Sequence, residues 1–160
     1  MMMRFYAALL ALGLSALSLP AFAAETARSQ LDPLITAHAN ANGVPVALVH
    51  RVIMRESRYN PRLIGKGGTM GLMQIKHATA RGMGYRGTAS GLLDPNTNLT
   101  YAVRYLAGAY RLAGGNEKRA VSYFARGYYY AAKNNGQSIE ALAQPSPFAS
   151  ASGKFPSRTD

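Results

Sequence analysis

Between residues 94 and 115, Leu99, Ala102, Val103, Leu106, Tyr110 and Ala113 recur at steps of three and four, the spacing of one face of an α-helix. Asp94 and Pro95 open the stretch as N-cap and first helical residue, and Gly114 closes it. Asn116 then caps a further helix, "NEKRAVSYFAR", stopped by Gly127, and the aromatic cluster "YYYAAK" follows. Upstream, "LDPLITAHANANG" predicts a short first helix with Asp32 as N-cap, Pro33 at its first position and Gly43 as its stop. A second helix is entered near Pro45 and closes before Asn60-Pro61. "PRLIGKGGTMGLM", with four glycines, reads as a loop that folds back on itself, and "QIKHATARGMG" as a third helix ending at Gly82 or Gly84. Nothing alternates as a strand. The expected fold class is therefore all-α, a multi-helix domain with little or no sheet.

The second helix contains an anomaly. Val49, Val52, Ile53 and Glu56 share one apolar face, so a carboxylate stands where a Leu would be expected. Burying a charged carboxylate is costly, so such a group is either paired or has its pKa raised. The chain is poor in acids: Glu25, Asp32, Glu56, Asp94, Glu117, Glu140 and Asp160 are all it has. Asp32 and Asp94 precede prolines at helix starts, Glu117 lies in a first turn, and Glu25, Glu140 and Asp160 lie in polar flanks. Glu56 alone interrupts an apolar stripe.

Residues 1–23 have Arg4, an apolar run from Phe5 to about Leu19, and Ala21 and Ala23 in a small-residue cleavage pattern, the signature of a secretory signal peptide. The expected product is exported to the periplasm or cell envelope after cleavage near Ala23, with no stable membrane insertion. Residues 24–133 then form one domain, and 134–160, rich in Ser, Pro, Gln, Asn and Gly, form a disordered polar tail. There is no cysteine, so the fold depends on its core without disulfides. The net charge of +11 points to polyanionic partners; with an export signal and no basic reading helix, nucleic acid is the least favoured of these. His38, His50 and His77 lack metal-ligand spacing and are expected at the surface, and "GKGG" lacks the rest of a phosphate-loop motif, so neither metal nor cofactor is assigned.

"RESRYNP" at 55–61, "GLMQI" at 71–75, "DPNTNLTYAVRYL" at 94–106 and "VSYFA" at 121–125, in that order and at those spacings, resemble the soluble lytic transglycosylase family, whose catalytic domain is of the goose-type-lysozyme-like, glycoside hydrolase family 23 type. The resemblance covers roughly residues 30 to 130. It implies a lysozyme-like fold and an enzyme that cleaves the β-1,4 bond between N-acetylmuramic acid and N-acetylglucosamine in peptidoglycan glycan strands. One carboxyl group acts first as acid and then as base, and the product carries a 1,6-anhydro end. Glu56 matches that catalytic residue. Ser57 matches a partner to the acid, Met73 and Gln74 match residues lining the groove beside it, and Tyr123 matches a tyrosine near the reacting sugar.

The chain departs from the family at three places. Phe124 stands where Asn is usual, "ARGYYY" replaces a Gly-Pro-Gly-like turn, and Gly65 takes a position where Ser is common. Tyr128, Tyr129 and Tyr130 offer replacement stacking surface, with at least two of them expected to pack against the domain. Two alternatives stay open on the same scaffold: a lysozyme-type muramidase that hydrolyses the bond, and a non-catalytic peptidoglycan-binding protein. The small size suits either wall turnover or the opening of a gap for a secretion or surface assembly.

Overall fold

The computed structural model describes residues 19–144; residues 1–18, most of the expected leader, and 145–160, most of the expected tail, lie outside the described residues. Helix α1 spans Leu19–Asn42 and α2 Val46–Glu56. Strands β1 (Thr69–Met70) and β2 (Ile75–Lys76) form a hairpin that leads into α3, His77–Gly82. A short 3-10 helix, Ala89–Leu93, precedes α4 (Pro95–Leu112), α5 (Glu117–Arg126), α6 (Tyr129–Asn134) and α7 (Ile139–Ala143). The architecture is mostly helical, as expected. No helix among the described residues is long and apolar enough to cross a membrane.

Helix α4 is the central element, packed against α1, α5, α7 and the 3-10 helix. Leu99, Ala102, Val103 and Leu106 of its predicted stripe are fully buried. Asp94 caps it by accepting from the Thr97 backbone N–H at 2.8 Å, and Asn116 caps α5 the same way from Arg119 at 3.0 Å. Small residues let neighbours approach α4 closely. A Cβ on Gly108 would collide with the Tyr128 hydroxyl, which donates to the Tyr105 carbonyl at 3.0 Å.

Three expectations are corrected here. The first helix does not start at Asp32: α1 runs through it, with Pro33 inside, because "AETARSQL" is itself a good helix former. Asp32 instead lies 3.0 Å from Nε2 of His50. That histidine, expected at the surface, is buried, and its Nδ1 sits 2.8 Å from the Tyr59 hydroxyl, linking α1 to the turn after α2. The disordered tail does not begin at residue 134. Helix α7 packs on α4 with Leu142 buried, and the Arg111 guanidinium donates to the carbonyls of Leu142 and Gln144 across more than thirty residues of chain. Polar composition hid one buried leucine whose partner is distant in sequence.

The segment between α2 and α3 also differs from a plain loop. Thr69 pairs with Lys76 and Met70 with Ile75, so Ile75 and Lys76 are strand and α3 starts only at His77. Gly71 to Gln74 form the tip. Gly71 has φ +71° and no room for a side chain: a Cβ there would overlap the Asn98 amide and the Leu92 carbonyl.

Candidate active site

Glu56 is the last residue of α2. The helix ends there because the N–H groups of Ser57 and Arg58 both turn back to the Ile53 carbonyl, and Arg58 and Tyr59 take left-handed φ values of 50° and 65°. The apolar face of α2 is buried through Ile53, and its last position lifts Glu56 to the edge of the core with 24% of the side chain exposed. Half-burial raises the Glu56 pKa above the ordinary carboxylate value by removing water from the charged form, and Arg55, 3.7 Å away, opposes this only in part. The carbonyl end of α2 acts in the same direction as burial. This carboxyl therefore holds its proton to higher pH than an exposed one.

A cavity of about 310 Å³ lies against Glu56, walled by Arg55, Thr69, Gln74, Phe124 and Ala125. One side is the hairpin, the other the end of α5. Gln74, itself at φ +49°, accepts from the Thr69 hydroxyl at 2.7 Å and donates to the carbonyls of Leu63 and Gly71, both at 3.0 Å. Gly65 abuts this pair, and a Cβ there would run into both Gln74 Oε1 and Thr69 Oγ1. The Thr69 hydroxyl thus fills the space in which a side chain at 65 would sit.

The structure redistributes the expected site residues. Gln74 borders the cavity, with its two amide hydrogens given to the hairpin's carbonyls and its Oε1 accepting one bond from Thr69. Met73 does not line the groove: it is fully buried in the core, and its N–H donates to Asn98 Oδ1 at 3.0 Å. Ser57 is adjacent to Glu56, yet its hydroxyl donates to the Ile53 carbonyl at 3.3 Å and makes no bond to the carboxylate. Tyr123 is half-buried against the core, while its neighbours Phe124 and Ala125 form the cavity wall. Of the three tyrosines that follow, only Tyr128 packs inside, stacked on Tyr105 with centroids 4.7 Å apart; Tyr129 and Tyr130 are 57% and 77% exposed, one packed residue where two were expected.

Two contributors escaped sequence reasoning. Phe124 supplies the apolar wall beside the acid. Asn98, fully buried, locks the hairpin tip: besides accepting from Met73 it donates to the carbonyls of Met70 at 2.9 Å and Leu92 at 2.8 Å. The available signal was an amide next to Leu99 at the start of an apolar stripe, a position where a polar side chain needs partners.

Four other acids are engaged elsewhere. Among the described residues Glu25 faces Arg28, Asp32 faces His50, Glu117 pairs with Arg51 at 2.8 Å, and Asp94 is a cap whose pKa is lowered by the Thr97 N–H. No group of three or more His, Cys, Asp or Glu among those residues gathers as a metal site. The arrangement offers one proton donor in a groove, with no second carboxylate among the cavity's walls.

Comparison with known proteins gives the chain's family. Residues 33–144 match the family model of the transglycosylase SLT domain. The chain is 34% identical over 102 residues to the peptidoglycan transglycosylase gp16 of Escherichia phage T7, covering 62% of this chain and 8% of that protein. It is 39% identical over 85 residues to the endo-type membrane-bound lytic murein transglycosylase A of Cronobacter sakazakii, 49% of this chain and 42% of the relative. The corresponding protein of Citrobacter koseri is 33% identical over 105 residues, 59% and 51%. The chain thus spans about half or less of the curated relatives it matches. The family match extends over well more than half of the chain and includes the α2 acid, the hairpin and the central helix, and on that ground the chain belongs to the transglycosylase SLT-domain family.

Proposed function

We propose that this protein is a peptidoglycan lytic transglycosylase that cleaves the β-1,4 bond between N-acetylmuramic acid and N-acetylglucosamine, with Glu56 as its single acid and base. The observation that carries the reading is one half-buried carboxyl with a raised pKa in a groove whose walls hold no other carboxylate. The printed names of the relatives, peptidoglycan transglycosylase and lytic murein transglycosylase, support it. Protonated Glu56 gives its proton to the bridging oxygen, the C1–O bond breaks, and the N-acetylglucosamine side leaves with a 4-hydroxyl. The acetamido oxygen of the muramyl sugar stabilises C1 meanwhile. Glu56, now ionised, takes the proton of the C6 hydroxyl, O6 bonds to C1, and the acid is restored with no water consumed. Phe124 supports the first step by keeping water from the carboxyl, and Ser57 acts by bracing the end of α2 through the Ile53 carbonyl.

We further infer that the leader directs the protein to the periplasm or envelope, where the chain, at +10 once the leader with Arg4 is removed from the full +11, meets an anionic polymer. The decisive experiment is mass spectrometry of fragments released from purified peptidoglycan. Muramyl ends about 18 Da lighter than hydrolytic ends, by loss of one water, are expected, and Glu56→Gln should fold normally yet lose at least ~100-fold in rate. Asp94→Asn should leave products and rate largely intact and cost at most ~1 kcal/mol of helix-cap stability. Reducing ends as the main product would make it a muramidase, and binding without any release would make it a non-catalytic wall protein.

A further inference from the structure

The cavity at Glu56 is not closed. Through Thr69, Gln74, Phe124 and Ala125 it shares walls with a second cavity of about 230 Å³, which also touches Lys76, Thr79, Tyr105 and Arg126. Thr79 and Tyr105 in turn border a third, of about 930 Å³, between α3, α6 and the α6–α7 connection. The three cavities follow one another from the acid to α6, each sharing wall residues with the next. The far chamber is larger than a single-sugar position requires and lies within the range of built ligand sites, roughly 300–1,000 Å³. Its wall combines apolar Ala78, Met83 and Ile139 with the exposed ring of Tyr129 and the ammonium of Lys133.

Charge along the groove is one-sided. Apart from Glu56, the charged residues among these walls are Arg55, Lys76, Arg126 and Lys133, all basic. A neutral sugar chain gains nothing from such a series, whereas a carboxylate-bearing branch does. Tyr129 also belongs to "ARGYYY", the segment that stands in place of the glycine turn expected from the resemblance.

We infer that this chamber binds the peptide branch of the same glycan strand: a short peptide with small apolar side chains and free carboxylates, lying on Tyr129 with a carboxylate at Lys133. The inference rests on the peptidoglycan reading above, and its test is arranged to separate the two. Binding is measured by calorimetry on Glu56→Gln protein, using soluble glycan fragments that carry their peptides and the same fragments after enzymatic removal of the peptides. Turnover of wild-type protein is followed in parallel and reports only on the reaction. Peptide-bearing fragments should bind roughly fivefold tighter, the scale of one exposed ion pair with its contacts. Lys133→Ala and Tyr129→Ala, both at exposed positions, should abolish that difference while leaving affinity for the bare glycan unchanged; Lys118→Ala, exposed on α5 away from the groove, should change neither. Equal binding of the two fragment types, or a preference that survives Lys133→Ala and Tyr129→Ala, would overturn the assignment even if wild-type protein cleaves both.

Discussion

The two walls of the groove are built on different physics. The hairpin wall is a closed hydrogen-bond network: Asn98 engages Met70, Met73 and Leu92, Gln74 engages Leu63, Thr69 and Gly71, and glycines at 65 and 71 fill positions where a Cβ has no room. The opposite wall, from Phe124 to Tyr130, is held by ring packing of Tyr105 with Phe124 and Tyr128 and then opens to solvent at Tyr129 and Tyr130. A network of buried polar atoms tolerates little change, because every broken bond strands a desolvated partner. A packed and partly exposed wall accepts new side chains at modest cost. Phe124 and "ARGYYY", two of the three places where the sequence departs from the resemblance, lie on this second wall.

That contrast breaks most decisively at the hairpin. Gly71→Ala puts a methyl into the Asn98 amide at a left-handed φ, and should cost about 3 kcal/mol or more, seen as a large drop in the denaturation midpoint, with activity lost in step. An Ala variant as stable as the parent would mean that the network relaxes freely. On the other wall Phe124→Asn should cost less, about 2 kcal/mol of burial, and show its main effect in pH dependence. In the proposed mechanism Glu56 acts in its protonated form, so kcat/KM is expected to fall as pH climbs through its raised pKa. A polar amide beside the carboxyl eases its desolvation and lowers the pKa. The alkaline limb of the profile should therefore move to lower pH in Phe124→Asn; an unmoved limb would remove Phe124 from the control of the acid. The smallest effect is expected at the exposed end. Tyr130→Ala should change stability by less than about 0.5 kcal/mol, and a larger loss on thermal melting would show that this wall is anchored more firmly than its exposure indicates.

Legibility in the sequence followed the same division. Helices α4 and α5 were readable to within a residue or two at their ends, since periodicity, an Asp or Asn cap and a glycine stop all act within a turn or two of chain. Glu56 was readable too, as a carboxylate breaking an apolar stripe, and so was the glycine-rich fold-back after α2. The short strands were not, because two residues carry no period. Nor was the direction of any side chain in the hairpin tip: Met73 entered the core and Gln74 turned onto the backbone because Asn98, some 25 residues downstream, holds the tip in one orientation.

By itself, then, the sequence determined the helices α4 and α5, their Asp94 and Asn116 caps and which acid is out of place, because those are properties of neighbours in the chain. Only the tertiary structure decided that Phe124 and not Tyr123 faces the acid, that His50 is buried between Asp32 and Tyr59, and that Leu142 seals the core from a polar segment. Each of these depends on which distant element lies opposite. Burial, with the rise in pKa it imposes on Glu56, is a property of that pairing and not of any local run of residues.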